Sequence, residues 1–190
     1  MTETRWFFLL TLFMAVLPIV WILTDPRPRD ERWRSNLSLQ SLIIHIGQLA
    51  LLAIQAFLSL HEWRQGYGIP YDTTTIIGLL IFVFGISFAV WAKLTMKLNW
   101  GMPATYSKDR QKELVTTGPF RYSRNPIYVG LFAAGLGYFL VLRSILIICL
   151  VPVAFYMYVV VRKEEALLQR IFKEKYRTYL MKTPRFLLFL

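Results

Sequence analysis

Residues 127–161 read IYVGLFAAGLGYFLVLRSILIICLVPVAFYMYVVV, and Arg143 is the only charged residue among them. A helix rises about 1.5 Å per residue, so one unbroken helix of this length would greatly exceed the roughly 30 Å hydrocarbon core of a bilayer. The stretch is therefore predicted to form two short membrane helices that turn at Leu142-Arg143-Ser144. Such a hairpin would return the chain to the membrane face from which it entered.

Three further uncharged stretches lie before this hairpin, at residues 6–24, 37–60 and 73–92. Each is long enough to cross a bilayer, which takes about 17–25 residues. The first resembles a signal peptide, but no small-residue cleavage site follows it, so we expect a transmembrane helix there too. The sequence thus predicts an all-α integral membrane protein with five transmembrane helices.

The composition agrees with a membrane protein. Hydrophobic residues make up 56% of the 190 residues and charged residues 17%. Soluble domains typically have about 45–50% apolar residues and about 25% charged residues. The single cysteine, Cys149, and the two histidines, His45 and His61, argue against a disulfide framework and a metal site. In so apolar a chain, the net charge of +11 indicates membrane lipids with anionic headgroups as partners, and not nucleic acid.

The basic residues are distributed unevenly between the two sides of the predicted membrane. All Lys and Arg residues except Arg5, Arg64 and Arg143 fall in the first loop, the third loop and the C-terminal tail. Because basic loops stay in the cytoplasm, this alternation predicts an N-terminus outside and a cytoplasmic C-terminus. A four-helix or six-helix topology would scatter the asymmetry.

The chain is predicted to have two parts in one integrated structure. Residues 1–92 form three N-terminal transmembrane helices, and residues 93–190 form a catalytic region of cytoplasmic loop, transmembrane hairpin and C-terminal helix. The tail from Arg162 to Met181 is predicted to be an amphipathic cytoplasmic helix, since its apolar residues recur at helical spacing.

Arg121 and Arg124 lie just before Asn125-Pro126, which is typical of a helix start with Asn as the cap and Pro at the first helical position. Free backbone N–H groups at a helix start, together with arginines, suit a carboxylate or phosphate. The alternative is a solvated loop whose arginines contact lipid phosphates.

Glu164 and Glu165 follow the last predicted membrane helix, where paired carboxylates can hold a cationic group. The alternative is ordinary pairing with basic neighbours along a helix surface. Because a hairpin brings its ends to one face, we expect the arginines and this glutamate pair to meet. A site with both signs of charge would match a zwitterionic ligand with an amino acid end.

Residues 114–130, LVTTGPFRYSRNPIYVG, resemble the signature of the isoprenylcysteine carboxyl methyltransferase and phospholipid methyltransferase family of integral membrane enzymes. So do Glu164-Glu165 and the tail residues Leu168, Phe172, Tyr176, Tyr179 and Arg185. The resemblance covers roughly residues 93–186. It implies an enzyme that uses S-adenosylmethionine, bound at the cytosolic side between the loop, the hairpin and the C-terminal helix.

The resemblance also implies roles for individual residues. The expected catalytic residues are Arg124, Asn125, Tyr128 and Glu165. The expected cofactor-binding residues are Lys112, Leu114, Val115, Gly118, Arg121, Arg124, Asn125, Pro126, Tyr128, Glu164 and Glu165. The family often has His at the position of Asn125, and because Asn cannot titrate, a general-base role there is weakened while binding is not.

The implied reaction is methyl transfer to a lipophilic or lipidated acceptor at the cytoplasmic face, either a carboxylate of the isoprenylcysteine type or a phospholipid-like molecule. A carboxylate acceptor is already ionised, whereas an amine must lose a proton and no cytoplasmic His is available to take it.

Two alternative functions stay open. One is a nicotinamide-dependent membrane reductase of the sterol reductase type, which the tail Lys173-Glu174-Lys175-Tyr176 resembles. The other is a non-enzymatic lipid-binding subunit.

Overall fold

The computed structural model describes residues 10–11, 16–24, scattered positions between 46 and 61, 72–96 and 113–187. Within these ranges the protein is helical and contains no β-strand, which confirms the all-α prediction for this part of the chain. The helices are α1 (Val16–Leu23), α2 (Thr73–Met96), α3 (Pro126–Val141) and α4 (Leu150–Lys182), with 3₁₀ turns at Gly118–Arg121 and Ile145–Cys149.

Two of the helices are long and apolar enough to cross a membrane, namely α2 and the helical stretch Ile145–Lys182, while α3 is apolar but shorter. These helices support a membrane protein. The stretch Ile145–Lys182 has 38 residues, or about 57 Å of helix, so only its apolar first part fits inside the hydrocarbon core. We therefore expect residues from Arg162 onward to lie beyond the membrane-spanning part.

The predicted helices over residues 6–24 and 37–60 fall mainly outside the described residues. The count of five helices, the orientation of the termini and the division at residue 92 stay predictions.

Helices α2 and α3 contact each other backbone to backbone through glycines. A Cβ added at Gly85 would lie 2.3 Å from the Ala134 nitrogen, and one added at Gly130 would lie 2.6 Å from the Ala89 nitrogen. Small residues permit such close approach in membrane helices, where packing rather than hydrophobicity drives association. The pairing is antiparallel, so the start of α3 lies beside the end of α2.

The chain turns between α3 and α4 at Leu142-Arg143-Ser144, the position predicted from the sequence. Arg143 has a positive φ of 48°, and the Ser144 hydroxyl accepts a hydrogen bond from the Leu146 nitrogen. Arg143 also forms an ion pair with Asp72, which precedes α2 and accepts a hydrogen bond from the Thr75 nitrogen. This pair lowers the pKa of the Asp72 carboxyl. That α3 and α4 form a transmembrane hairpin stays a prediction.

Helix α4 is kinked at Lys173, where φ is 47° and ψ is −118°. Beyond the kink, Tyr176 and Tyr179 are buried, and the Tyr179 hydroxyl donates a hydrogen bond of 2.6 Å to the Phe120 carbonyl. The kink thus directs the second half of α4 against the 3₁₀ turn before α3.

Candidate active site

The segment from Gly118 to Asn125 leads into the start of α3. Gly118 has a positive φ of 59°, and a Cβ there would lie 3.1 Å from the Thr95 hydroxyl oxygen, so glycine suits both the conformation and the close approach. Asn125 occupies the position that caps α3, and Pro126 is the first helical residue. The Asn125 side chain, however, makes no cap hydrogen bond, and its Nδ2 group donates to Glu165 and to the Arg185 carbonyl.

Glu165 lies at the centre of a charged cluster and is only 8% exposed. Its Oε1 lies 3.1 Å from Arg124 Nη1 and accepts a hydrogen bond of 3.3 Å from Asn125 Nδ2. Its Oε2 accepts two hydrogen bonds from Arg185, 3.0 Å from Nε and 2.9 Å from Nη2. The structure therefore brings Arg124, Asn125 and Glu165 together, and Glu165 has partners on both of its oxygens.

Glu164 points toward a different partner. The Tyr128 hydroxyl donates a hydrogen bond of 2.7 Å to Glu164 Oε1. Glu164 lies beyond the membrane-spanning part of α4, and burial raises the pKa of its carboxyl to about 7, with the Tyr128 hydrogen bond acting against this rise. Near neutral pH this carboxyl is thus readily converted between its neutral and charged forms, and a bound cation would favour the charged form.

The residues after α4 form a strap, Thr183–Arg185, that lies over the start of α3. The Pro184 carbonyl accepts a hydrogen bond of 2.9 Å from the Arg124 nitrogen. The Arg185 carbonyl accepts one of 3.2 Å from the Ser123 hydroxyl and one of 3.0 Å from Asn125 Nδ2. The Arg185 guanidinium also lies 5.6 Å from the centre of the Tyr158 ring. Both amide hydrogens of Asn125 are therefore used to hold Glu165 and the strap.

Among the described residues, Arg124 has buried side-chain donors that make no hydrogen bond. Its side chain is 11% exposed, and its buried Nε and Nη1 atoms make no hydrogen bond in this part of the chain. Nη1 is near Glu165 in distance but not aligned with it for a hydrogen bond. Leaving a buried donor unsatisfied costs about 1–3 kcal/mol, and more for a charged group, so an acidic ligand group would fit here.

A cleft of about 560 Å³ adjoins the 3₁₀ turn. Its lining residues come from the end of α2 and the following loop: Leu94, Thr95, Met96, Glu113, Leu114, Val115, Thr116 and Thr117. Leu114 and Val115, both predicted to line a cofactor, therefore face an open space of ligand size.

The other predicted residues are placed differently. Arg121 is exposed, whereas Pro126 is buried at the start of α3 and offers only apolar contact. Lys112 lies outside the described residues.

The sequence indicated no specific role for Ser123, Tyr158 or Arg185. Their contacts join positions that are distant along the chain, so no local spacing pattern could have found them.

Comparison with known proteins identifies a family and a curated relative. The sequence model of the family described as phospholipid methyltransferase matches residues 73–175. The nickel-cobalt-cadmium resistance protein NccN of Alcaligenes xylosoxydans xylosoxydans is 34% identical over 120 residues, which cover 61% of this chain and 53% of that protein. The match thus spans about half the length of the relative, and no solved structure matches this chain significantly.

The matched region contains α2, α3 and the part of α4 that carries Glu164 and Glu165. It therefore includes most of the residues that meet at the charged cluster. Together with the apolar helices, the match indicates a membrane methyltransferase. Since the match covers more than half of the sequence, this chain belongs to the phospholipid methyltransferase family.

Proposed function

We propose that this chain transfers a methyl group from S-adenosylmethionine to a lipophilic acceptor at the cytoplasmic face of the membrane. The observation that carries the proposal is the placement of opposite charges at one end of α3. Arg124 has two buried donors that make no hydrogen bond among the described residues, and the Glu164 carboxyl lies on the neighbouring α4 near Tyr128. The amino acid end of the cofactor carries one carboxylate and one ammonium group, which match these two side chains.

Different residues would bind different parts of the cofactor. The guanidinium of Arg124 would hold the carboxylate, and Glu164, oriented by the Tyr128 hydroxyl, would hold the ammonium group. The cleft beside Leu114 and Val115 would take the remainder of the cofactor, and its volume of about 560 Å³ lies within the usual range for small-molecule sites. When bound, the cofactor supplies a methyl group on a positively charged sulfur as the electrophile.

Asn125 and Glu165 have a supporting role in this proposal. Glu165 is already balanced by Arg124 and Arg185, so it orients the arginines and is not free for a ligand cation. Asn125 fixes Glu165 and the strap through its amide. The protein's contribution to the reaction is then to align donor and acceptor and to exclude water from the buried cluster.

The acceptor is proposed to reach the site from within the bilayer. The first part of α4 exposes large apolar side chains, with Val151 at 69% and Phe155 at 71%, as expected for a helix surrounded by lipid. A carboxylate or phospholipid-like acceptor agrees with this route and with the family. A carboxylate needs no base, whereas an amine acceptor would first have to lose a proton.

The test uses the purified full chain in detergent. Isothermal titration should show binding of S-adenosylmethionine but not of nicotinamide dinucleotides. Incubation with the methyl-labelled cofactor and a lipid extract should then transfer label to a lipid-soluble product, which mass spectrometry identifies. Binding of a nicotinamide dinucleotide instead would favour the reductase alternative, and binding of neither would contradict an enzymatic role.

A further inference from the structure

Arg124 and Arg185 both lie beside the carboxylate of Glu165, but only Arg185 forms hydrogen bonds with it. Arg185 approaches Oε2 with Nε at 3.0 Å and Nη2 at 2.9 Å, both in hydrogen-bonding geometry. Arg124 Nη1 lies 3.1 Å from Oε1, yet that atom makes no hydrogen bond. Because paired charge-assisted hydrogen bonds are the stronger kind, Arg185 determines the orientation of this carboxylate.

Arg185 is itself held firmly in place. Its carbonyl accepts hydrogen bonds from Ser123 and Asn125, and its guanidinium lies over the Tyr158 ring at 5.6 Å, a geometry that attracts a cation. Its side chain is 18% exposed. The strap thus presents the guanidinium to Glu165 from a defined position.

Without Arg185, Glu165 would be left with Arg124 as its one cationic partner among the described side chains. A carboxylate beside a single arginine favours two parallel hydrogen bonds with it. Because Nη1 is the Arg124 atom nearest to Glu165, those bonds would use Nη1 together with Nη2. The Nη1 donor, which now makes no hydrogen bond in the described structure, would then be occupied.

We propose that Arg185 is a positioning residue that keeps the Nη1 donor of Arg124 available for the carboxylate of the ligand, by holding Glu165 through its second oxygen. The inference rests on the proposed function, since the ligand is taken to be S-adenosylmethionine. It concerns Arg185, which does not need to touch the ligand, and it predicts a loss of affinity that depends on whether the ligand has a carboxylate.

The experiment compares two ligands that differ only in this group, S-adenosylmethionine and decarboxylated S-adenosylmethionine. Their dissociation constants are measured by isothermal titration with the wild type and with Arg185→Gln in detergent. We expect Arg185→Gln to weaken binding of S-adenosylmethionine by about tenfold or more, as for loss of a charge-assisted contact. Binding of the decarboxylated ligand should change by less than about twofold, because it does not use the Arg124 donors.

A second substitution tests whether the loss of affinity arises because Glu165 captures Arg124. Glu165→Gln in the Arg185→Gln background removes the charge that would capture Arg124, so it should restore most of the lost affinity for S-adenosylmethionine. Arg177→Gln is the matched control, because Arg177 pairs with Glu174 at 3.0 Å on the exposed side of α4. It should change neither dissociation constant.

Several outcomes would overturn the inference. These are equal weakening of both ligands by Arg185→Gln, an unchanged affinity for S-adenosylmethionine, and the absence of rescue in the double variant. If Arg185→Gln does not fold, Arg185→Lys is used, since it keeps the charge but loses the two-pronged contact, and it should show a smaller loss confined to the ligand with the carboxylate. Failure of the wild type to bind either ligand would instead contradict the proposed function.

Discussion

Glu164 and Glu165 are neighbours in the sequence but have different surroundings in the fold. Successive residues of a helix point about 100° apart, so Glu165 faces the two arginines while Glu164 faces Tyr128. The sequence predicted that a glutamate pair would meet an arginine, and Arg124 does meet Glu165. It could not predict which carboxyl is balanced within the protein, because Arg185 arrives from the strap after α4.

The surroundings of Glu164 predict that stability depends on pH. Burial raises the pKa of this carboxyl from 4.5 to about 7, so between these values the folded protein retains a proton that the unfolded chain has lost. The free energy of unfolding should therefore fall as the pH rises from about 5 to about 7 and change little above that. Thermal unfolding in detergent at pH 5, 6, 7 and 8 measures this.

Glu164→Gln is the control for the pH dependence, because Gln keeps the shape of the side chain and does not titrate. The variant should show a smaller fall in unfolding temperature between pH 5 and 7 than the wild type. It should also bind S-adenosylmethionine more weakly, by about tenfold or more, if Glu164 holds the ammonium group. Identical pH profiles for the two proteins would contradict the assignment of the raised pKa to Glu164.

At the scale of the elements, the glycine contact between α2 and α3 fixes where the site is built. It sets the start of α3, with Arg124 and Asn125 just before it, beside the end of α2 and the cleft. Hydrophobic runs alone predicted that helices lie over residues 73–92 and after residue 126. They could not predict which faces touch, since an apolar helix in lipid shows little difference between its sides.

Gly85→Ala tests this contact. The added Cβ would lie 2.3 Å from the Ala134 nitrogen, a backbone atom that cannot move aside without separating the helices. We expect a loss of about 1–3 kcal/mol or more in the free energy of unfolding. Equilibrium unfolding in mixed micelles is the measurement.

Gly135→Ala is the matched control on α3. Its Cβ would come no closer than 3.2 Å, to the end of the Leu150 side chain, which can adjust. Alanine is also the better helix former by about 1 kcal/mol, so this variant should be as stable as the wild type or more stable. Equal stability of the two alanine variants would mean that the close contact is not maintained.

The kink in α4 is a second feature that periodicity could not reveal. The apolar spacing predicted one amphipathic helix from Arg162 to Met181, and the helix does extend to Lys182, but with a break at Lys173. A non-glycine residue with φ of 47° is in a conformation that costs about 1–3 kcal/mol. The burial of Tyr176 and Tyr179 against the 3₁₀ turn offsets this strain.

Lys173→Gly should therefore stabilise the protein, because glycine adopts positive φ without a Cβ clash. We expect the unfolding temperature to rise. Lys175→Gly is the control, since Lys175 is exposed with ordinary helical geometry and glycine there should destabilise by about 1 kcal/mol. A fall in unfolding temperature for both variants would show that the helix is not broken at Lys173 in the folded protein.

At the scale of the whole molecule, the sequence predicted the class of the protein and most of the residues that meet at the cluster. The lengths of the uncharged stretches and the positions of the charged residues are local signals. They predicted membrane helices and a contact between the arginines before α3 and the glutamate pair. Arg185 was part of the family resemblance, but the contacts that the strap makes with Ser123 and Asn125 could not be predicted, because they span about sixty residues and depend on how α4 is bent.

The two ends of α2 should lie on opposite sides of the membrane. Its 24 residues span about 36 Å, slightly more than the roughly 30 Å hydrocarbon core. The ion pair of Asp72 with Arg143 lies at one end, while the start of α3 and the charged cluster lie at the other. The excess of basic residues in the C-terminal tail predicts that the cluster faces the cytoplasm.

Cysteine labelling tests this arrangement with Cys149→Ser as the background. Thr74→Cys, at the exposed start of α2, and Lys182→Cys, at the exposed end of α4, are treated with a membrane-impermeant maleimide in right-side-out and inverted vesicles. We expect Thr74→Cys to react only in right-side-out vesicles and Lys182→Cys only in inverted ones. Reaction of both from the same side would show that the chain does not cross the bilayer between the two ends. The reversed pattern would place the cluster outside, where the cytoplasmic cofactor S-adenosylmethionine could not reach it, and would contradict the proposed function as well as the orientation.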